Sequence, residues 1–369
     1  MIDQGTPSGA PRQVLNAGST HIRVLVVDDS ALVRQRVRRQ LEMDPTIQVV
    51  DTAHDGLDAL VKVERLQPDV VTMDVEMPTM DGLSALRLLM ARFPRPVVML
   101  SSATHHGTQA TVQALALGAV DYIPKPEATD ADVSSFAGNL ISTVKRASQA
   151  RVRRTAPMLT AQMASSAAAL RDTPGCAPER LLVIGASTGG PRALAELFGA
   201  LPGGLDCAAI VVQHLPEGFT RSLAERLDQI GELTVREAVD GESLQTGVAL
   251  VAPGGKHLKV SGDRVALDEH PRRRGVRPSI DTTLESVAAT FGPSALAVVL
   301  TGMGQDGSEG TGALKAAGGR VFAEAEESCV VFGMPQAVIK AGFADEVFPL
   351  AAIPSAVTRA IAALPARSR

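Results

Sequence analysis

Residues 183–190, Val-Ile-Gly-Ala-Ser-Thr-Gly-Gly, decide the fold and the chemistry of the second half of the chain. Their apolar beginning is typical of a buried strand, and the helical pattern "PRALAELF" follows them, with Pro191 near its start. A strand, a Gly-rich turn and a helix in this order either cradle a phosphate or expose a serine hydroxyl. The first arrangement predicts a nucleotide-binding module, and the second predicts a serine hydrolase.

The spacing of the glycines favours the serine. A dinucleotide-binding fingerprint needs a second glycine where this sequence has Ser187, and a P-loop needs a lysine where it has Pro191. The stretch instead matches G-x-S-x-G, in which a sharp strand-to-helix turn lifts the serine hydroxyl clear of the sheet. We therefore interpret Ser187 as a candidate nucleophile.

Short apolar runs alternate with amphipathic stretches on both sides of this turn, which predicts two α/β domains with doubly wound parallel sheets. The predicted strands are 22–27, 48–53, 69–74, 96–101 and 121–125 in the first domain, and 181–187, 208–214, 247–253, 296–302 and 320–325 in the second. Within the second domain, residues 255–269 alternate apolar and polar side chains, which predicts a β-hairpin.

Composition sets the limits of these domains. Residues 1–20 are polar and rich in Gly, Pro and Ser, which is typical of a disordered leader. Residues 146–180 are rich in Ala, Ser, Arg and Pro and have no strand pattern, so we interpret them as a linker. The boundaries are then 21–145 for the first domain and 181–369 for the second.

The bulk composition excludes several classes of protein. The net charge of −4 argues against a dominant nucleic-acid surface, and no apolar run is long enough to span a bilayer. The three cysteines, Cys176, Cys207 and Cys329, are too scattered for a disulfide framework or a zinc site. We expect a soluble, cytoplasmic protein.

Carboxylates gather at the carboxyl ends of the first domain's strands, the edge at which open α/β sheets bind ligands. Asp28 and Asp29 follow the first strand and Asp74 ends the third, while Ser101 and Lys125 end the fourth and fifth. Three carboxylates together repel one another unless a hard cation such as Mg²⁺ neutralises them. A single aspartate at a strand end is usually a turn former or helix cap, but the whole set predicts a magnesium site.

In the second domain, a nucleophilic serine needs a base and the base needs an orienting group. His214 ends the strand that follows Ser187, and Asp306 lies in the Gly-rich loop after the strand 296–302. Each has a simpler explanation, as an isolated histidine or as an ordinary Asp-Gly turn. Because all three residues follow parallel strands at one sheet edge, we predict a Ser187-His214-Asp306 triad.

The blocks "VVDDS", "TMDVEMPTMDG", "VVMLSSAT" and "DYIPKPE" resemble the receiver domain of two-component response regulators, over residues 22–145. The resemblance implies that Asp74 accepts a phosphoryl group from a histidine kinase. It implies that Asp28, Asp29 and Asp74, with the carbonyl of Glu76, hold Mg²⁺. It also implies that Lys125 pairs with the phosphoryl oxygens, and that Ser101 and Tyr122 respond to the new charge.

The blocks "IGASTGGP", "QHLPEGFTRSLAERL", "VAPGGKHL", "RPSID", "LTGMGQDG" and "CVVFGMP" resemble the methylesterase domain of the CheB family, from about 181 to 360. The resemblance implies a phosphorylation-activated protein-glutamate methylesterase and glutamine deamidase that acts on chemoreceptors in chemotaxis. Hydrolysis would need no cofactor, and backbone N–H groups near Thr188 and Met303 would hold the oxyanion.

Three alternatives stay open from the sequence. A receiver is most often joined to a DNA-binding domain, but residues 181–369 lack the basic recognition helix that such a domain needs. A phospho-dependent scaffold that has lost activity is the second alternative; intact Ser187, His214 and Asp306 argue against it, but the sequence does not show that they converge. The third keeps the chemistry but serves receptors that control something other than swimming, and nothing in the sequence discriminates these pathways. The arginine-rich stretch 270–278 is either a solvated loop or a contact for acidic receptor helices.

Overall fold

The computed structural model describes residues 21–101, 105–125, 130–152 and 176–367. The predicted leader, 1–20, and the larger part of the predicted linker, 153–175, lie outside the described residues.

The first domain is a five-stranded parallel sheet with the strand order β2-β1-β3-β4-β5. Its strands are β1 (Ile22–Val27), β2 (Ile47–Ala53), β3 (Val70–Asp74), β4 (Val97–Ser101) and β5 (Asp121–Pro124). Its helices are α1 (Ala31–Leu41), α2 (Gly56–Leu66), α3 (Gly82–Arg92), α4 (His105–Leu117) and α5 (Asp130–Ser148). All five predicted strands are present, and the last helix continues past the predicted domain end at 145.

Polar side chains fix where the first three helices begin. The side chains of Ser30, Asp55 and Asp81 each accept a backbone N–H from the first turn of α1, α2 and α3. Such N-caps satisfy donors that have no partner inside the helix, and each contributes about 1 kcal/mol. The cap of α1 therefore starts that helix directly after the acidic pair at the end of β1.

The second domain is a seven-stranded parallel sheet with the order β14-β13-β12-β6-β7-β9-β8. Its strands are β6 (Leu181–Ala186), β7 (Ala208–Gln213), β8 (Thr234–Glu237), β9 (Val248–Val251), β12 (Ala295–Val299), β13 (Arg320–Glu324) and β14 (Glu346–Phe348). Its helices are α6 (Gly190–Phe198), α7 (Phe219–Ile230), α8 (Ile280–Thr290), α9 (Ser308–Ala316), α10 (Met334–Lys340) and α11 (Ile353–Ala363). Two 3₁₀ turns lie at Gly292–Ser294 and Leu350–Ala352.

The predicted hairpin is confirmed as the antiparallel pair β10 (His257–Ser261) and β11 (Arg264–Asp268). Two strands, β8 and β14, were not predicted, and they form the opposite edges of the seven-stranded sheet. Edge strands are short and polar because a long apolar edge invites pairing with other chains. Their sequences therefore lack the apolar run that marks a buried strand.

The two domains pack directly against each other. Helix α4 contacts α6 and α7, and apolar side chains of both domains join in one buried cluster. The Tyr122 ring of β5 stacks on the Phe219 ring of α7, with centroids 4.6 Å apart. Past the end of α5, the Arg151 N–H donates to the Val330 carbonyl over 3.0 Å, and its guanidinium pairs with Glu326.

None of the helices in the described part of the chain combines the length and the apolar content that a bilayer crossing requires.

Candidate functional site

The acidic set of the first domain comes together as the sequence predicts. One carboxylate oxygen from each of Asp28, Asp29 and Asp74 lies within 4.8 Å of the others. Asp28 and Asp74 are buried, while Asp29 is exposed, so the cluster opens to solvent on one side. Three carboxylate oxygens at this spacing suit a hard divalent cation, which prefers oxygen ligands.

Lys125 bridges the two buried carboxylates. Its Nζ lies 2.8 Å from Asp28 Oδ2 and 2.7 Å from Asp74 Oδ2. Burial and the neighbouring Asp28 charge raise the pKa of Asp74, and the ammonium group of Lys125 opposes them. Burial alone would lower the pKa of Lys125, but its contacts with the two carboxylates outweigh burial and raise it. The ammonium group of Lys125 therefore offsets part of the negative charge of the two buried carboxylates.

The predicted switch residues Ser101 and Tyr122 lie on the paired strands β4 and β5. Ser101 is fully buried at the end of β4, where its hydroxyl donates to the Gly107 carbonyl and accepts from Thr111. The Tyr122 side chain leaves the adjacent strand β5 toward Phe219 of the second domain. Burial and the nearby Asp121 raise the pKa of Tyr122, so its phenol stays neutral at physiological pH.

In the second domain, the turns after three adjacent strands carry the predicted triad. Strand β6 lies between β12 and β7, and Ser187, Asp306 and His214 follow these three strands respectively. The chain crosses from one side of β6 to the other here, and open α/β sheets bind ligands at such switch points. The sheet order thus brings together residues that lie far apart in the sequence. Ser187 and Asp306, the most distant pair of the three, are 119 positions apart.

Asp306 holds the histidine through a short contact. The His214 Nε2 atom lies 2.8 Å from Asp306 Oδ2, and both side chains are almost fully buried. This contact occupies Nε2, so Nδ1 is the imidazole nitrogen that remains for proton transfer. Ser187 and His214 line one cavity of about 590 Å³ together with Thr188 and Met303.

The start of α8 holds Asp306 in turn. Its carboxylate accepts the Ser279 hydroxyl at 2.8 Å, the Ile280 N–H at 2.7 Å and the Asp281 N–H at 3.2 Å. Burial alone would raise the pKa of Asp306, but His214 and these donors outweigh it and hold the pKa below its usual range. Asp306 therefore stays ionised next to the imidazole.

The turn that carries Ser187 is fixed by its neighbours. The Ser187 N–H donates to the Thr301 carbonyl over 3.0 Å, and Gln213 Nε2 donates to the Ser187 carbonyl over 2.9 Å. A Cβ atom at Gly302 would lie 2.7 Å from the Ser187 Cβ, so only glycine allows this approach. Gly189 has φ +80°, a conformation that favours glycine and lets the chain turn into α6.

Sequence reasoning missed the residues that support the triad. Ser279 and Asp281 belong to the "RPSID" block, whose serine before a helical pattern is an N-cap signal. The spatial approach of Asp306 to that helix start had no signal in the sequence. Thr301 and Gln213 act through a backbone carbonyl and an amide group, and neither residue type marks a functional position by itself.

The arginines of the stretch 270–278 divide into two groups. Arg273 pairs with Glu285 and Glu309, and Arg274 also pairs with Glu309, so these two are held inside the domain. Arg277 donates to backbone carbonyls of the same loop. Arg272 is exposed and has no ion pair with any described residue, and it lines a second cavity that shares His214 with the first.

Both domains line the cavity around Ser187. Asp121, Tyr122 and Arg146 of the first domain face Ser187 and His214 across it. The Arg146 guanidinium pairs with Asp121 at 3.2 Å, which fixes the rim on the side of the first domain. In this arrangement, the first domain forms part of the wall of the cavity that Ser187 and His214 line.

Comparison with known proteins identifies the family. The CheB methylesterase family model matches residues 182–357, and the response regulator receiver domain model matches residues 24–134. The chain is 48% identical over 351 residues to the protein-glutamate methylesterase/protein-glutamine glutaminase of Symbiobacterium thermophilum. The aligned region covers 92% of this chain and 97% of that protein. This chain belongs to the CheB family.

Further members of the CheB family are also similar. The protein-glutamate methylesterase/protein-glutamine glutaminase of Pyrococcus abyssi is 40% identical over 92% of this chain and 94% of its own length. The solved catalytic domain of Thermotoga maritima CheB methylesterase is 45% identical, with a TM-score of 0.48, and covers 49% of this chain and 98% of that domain. The predicted family, the α/β fold class and the hydrolase class are confirmed.

Proposed function

We propose that this chain removes methyl groups from glutamate methyl esters of chemoreceptors, and converts specific receptor glutamines to glutamate, through a Ser187-His214-Asp306 triad. The observation that carries the proposal is the contact of 2.8 Å between His214 and Asp306, at the cavity that Ser187 also lines. A base that a buried carboxylate orients, beside an accessible serine, is the arrangement that acyl transfer requires.

In the proposed reaction, each step involves a named atom of the triad. The Ser187 Oγ attacks the ester carbonyl carbon while His214 takes the serine proton through Nδ1, since Nε2 is bonded to Asp306. Asp306 stabilises the imidazolium that forms. The tetrahedral intermediate then collapses, and His214 gives its proton to the departing methanol. Water attacks the resulting acyl-enzyme with His214 again as base, which releases the glutamate carboxylate and restores Ser187. A glutamine side chain follows the same route and releases ammonia.

Backbone N–H groups near Ser187 would stabilise the oxyanion. The Ser187 N–H is already bonded to Thr301, whereas the N–H groups of Thr188 and Met303 have no acceptor among the described residues. Both residues line the cavity. Donors of this kind contribute about 3–4 kcal/mol to transition-state stabilisation.

The first domain would act as the switch. Asp74 would accept a phosphoryl group from the chemotaxis histidine kinase, with Asp28, Asp29 and Asp74 as the carboxylates that hold Mg²⁺. The metal, when bound, supplies charge neutralisation for the transfer. Lys125 would pair with the new phosphoryl oxygens, and its contact with Asp74 Oδ2 at 2.7 Å supports this role.

Phosphorylation would weaken the cover over the active site. The phosphoryl group adds a charge of about −1.5 to −2, which would attract Lys125 and the Ser101 hydroxyl. Ser101 lies on β4, beside the strand β5 that carries Tyr122. Tyr122 stacks on Phe219, so a change at β5 acts directly on the domain contact. The two units that move relative to each other would be a receiver domain, 21–145, and a catalytic domain, 181–369, joined by the linker 146–180. The protein would act in the cytoplasm.

The test is replacement of the nucleophile. Ser187→Ala should lose nearly all release of methanol from methylated receptor, and mass spectrometry should detect no acyl adduct on the peptide that contains residue 187. Ser261→Ala is the matched control, because Ser261 is an exposed serine at the end of β10. Substantial hydrolysis by folded Ser187→Ala would overturn the assignment of Ser187 as the nucleophile.

A further inference from the structure

A buried carboxyl group lies behind the turn that carries Ser187. Glu324 ends strand β13 and is fully buried. Its Oε2 accepts the Thr301 backbone N–H over 2.8 Å, and its Oε1 accepts the Ser328 hydroxyl over 2.9 Å. A buried carboxyl oxygen is costly without a donor, and here both oxygens have one. Glu324 therefore fixes the peptide group of Thr301.

Thr301 in turn holds the nucleophile turn, residues 187–189. Its carbonyl accepts the Ser187 N–H over 3.0 Å. Its hydroxyl donates to the Thr188 carbonyl over 3.0 Å, with the Val331 carbonyl as a longer second acceptor at 3.3 Å. The same hydroxyl accepts the Val331 N–H over 3.0 Å. Thr301 thus connects the nucleophile turn to Glu324 through its own backbone.

The sheet order explains this chain of contacts. Strand β12 lies between β13 and β6, so the residues that follow these three parallel strands stand side by side at one edge. Glu324 ends β13, Thr301 follows β12, and Ser187 follows β6. The carboxyl group is therefore one strand further from the reacting serine than Thr301 is.

The nucleophile turn has open space on the side of Glu324. Gly189, Thr301, Glu324 and Ser328 line a cavity of about 240 Å³. It differs from the cavity that Ser187 and His214 line. A close-packed interior holds a backbone by steric contact alone, whereas free space allows the backbone to shift. On this side, the hydrogen bonds to Glu324 therefore have to hold Thr301.

We infer that Glu324 is a positioning residue whose carboxyl oxygen holds Thr301 and thereby holds the turn that carries Ser187. Met303, whose N–H is a candidate oxyanion donor, follows Thr301 by two residues. A shift of Thr301 would therefore displace the nucleophile and this donor together. The inference rests on the proposed role of Ser187, and it requires an oxygen acceptor at position 324.

The test removes that acceptor but keeps the size of the side chain. Glu324→Met fills a similar volume and offers no oxygen to the Thr301 N–H. Methanol release from methylated receptor is measured on the full chain with a small-molecule phosphodonor and Mg²⁺. We expect kcat to fall on the order of 10²-fold with KM little altered, because a displacement of about 1 Å at a reacting group has that effect.

Glu324→Gln is the rescuing variant. Its amide oxygen can accept the Thr301 N–H, and its amide N–H can donate to the Ser328 oxygen. The Ser328 hydroxyl has the Ala325 carbonyl as an alternative acceptor at 3.2 Å, so every donor keeps a partner. We therefore expect a kcat within a few-fold of the parent's.

Asp345 offers a matched control near the other end of the same strand. Its Oδ2 accepts the Val321 N–H over 2.8 Å, which is the same kind of bond as that between Glu324 and Thr301. Val321 is near the start of β13, at the sheet edge away from Ser187. Asp345→Leu removes this acceptor, so it should lower the free energy of unfolding and leave the kcat of the folded chain unaltered.

A second readout follows the nucleophile without the receptor. A small fluorophosphonate forms a bond between its phosphorus and the Ser187 Oγ, with loss of fluoride and of the serine proton. Mass spectrometry of the peptide that contains Ser187 gives the rate of labelling. This rate should fall in Glu324→Met and return in Glu324→Gln, as kcat does.

Three results would overturn the inference. Folded Glu324→Met could keep the parent's kcat, Glu324→Gln could lose as much as Glu324→Met, or Asp345→Leu could lose as much as either. Failure of the proposed hydrolase would appear separately, as parent-like methanol release by Ser187→Ala.

If Glu324→Met does not fold, two variants of Thr301 decide instead. Thr301→Val removes the hydroxyl that holds the Thr188 carbonyl, and Thr301→Ser keeps it. A loss of kcat in Thr301→Val that Thr301→Ser restores would support the inference, and the parent's kcat in Thr301→Val would overturn it.

Discussion

The Tyr122 ring of the receiver lies on the Phe219 ring of the catalytic domain, with centroids 4.6 Å apart and planes inclined by 27°. The stack joins the strand next to the buried Ser101 to the first residue of α7. It lies at the edge of the cavity that contains Ser187. Strand β5 therefore connects the acidic cluster, through Lys125, to the rim of this cavity, through Tyr122.

Loss of the Tyr122–Phe219 stack should weaken the contact between the two domains and make the proposed active site more accessible to substrate. An aromatic pair contributes about 0.5–1.5 kcal/mol beyond its buried area, so Tyr122→Ala should raise basal methanol release by up to about tenfold. The measurement is the initial rate of the unphosphorylated full chain. Tyr122→Phe keeps the ring and should retain the parent's basal rate. A basal rate in folded Tyr122→Ala equal to that of the parent would show that the stack does not hold the domains closed.

Replacement of Asp306 should affect both activity and stability. Asp306→Asn keeps the size of the side chain but loses the charge that orients His214, and we expect the rate to fall by about 10³–10⁴-fold. It should also lower the free energy of unfolding at neutral pH by about 1–3 kcal/mol, because three donors around a buried anion lose their charged acceptor.

The pH dependence of that stability difference has a definite sign. The pKa of Asp306 is depressed in the folded state, so its contribution is present above the ordinary aspartate pKa and is lost as the pH falls toward the folded value. Urea unfolding of the parent and Asp306→Asn should therefore converge on acidification. A difference that grows at low pH would contradict the ionised state of Asp306.

The glycine behind the nucleophile offers a steric test. In Gly302→Ala, the new methyl group would lie 2.7 Å from the Ser187 Cβ and 2.6 Å from the Met334 sulfur, so the turn must shift. Misplacement of a reacting group by about 1 Å costs on the order of 10²-fold in rate, and we expect a loss of that size in kcat.

Gly138→Ala is the matched control for Gly302→Ala. A Cβ at Gly138, in α5, meets nothing within 4 Å, so this variant should keep the parent's kcat. It should also be slightly more stable, since alanine is favoured over glycine inside helices by about 0.5–1 kcal/mol. Full activity in folded Gly302→Ala would mean that the turn tolerates displacement and that Ser187 is not the reacting group.

Arg272 separates the two interpretations of the arginine-rich loop. Arg273 and Arg274 bind acidic side chains of their own domain, whereas Arg272 is exposed at a cavity beside His214. If that cavity receives acidic receptor surface, Arg272→Glu should raise KM several-fold and change kcat little. Arg39→Glu, on the exposed face of α1, is the control and should leave KM unaltered. An unaltered KM in Arg272→Glu would favour a solvated loop.

Local chemistry made most of the fold predictable. Every strand that an apolar run marked is present, because buried parallel strands need such runs on both faces. Strands β8 and β14 escaped prediction because short edge strands carry no such run. The approach of His214 to Asp306, and of both to the cavity edge that Ser187 lines, follows from parallel strands ending at one sheet edge, and the triad itself stays a prediction.

The support of the site could not be inferred in the same way. Asp306 is held by the start of α8. That contact depends on how α8 packs against the loop that carries Asp306, and the hydrophobic periodicity of the sequence does not encode such packing. Likewise, the ion pairs of Lys125 join residues of three strand ends, and only the sheet order shows that both carboxylates reach one ammonium group. Long-range packing fixes these relationships.

The most direct test of the account is methanol release from methylated receptor by the full chain, with and without a small-molecule phosphodonor and Mg²⁺. The account predicts release that rises with the phosphodonor in the parent chain, fails to rise in Asp74→Ala, and disappears in Ser187→Ala. Release that rises equally in Asp74→Ala and the parent would contradict the proposed switch, and the absence of release under every condition would contradict the proposed hydrolase.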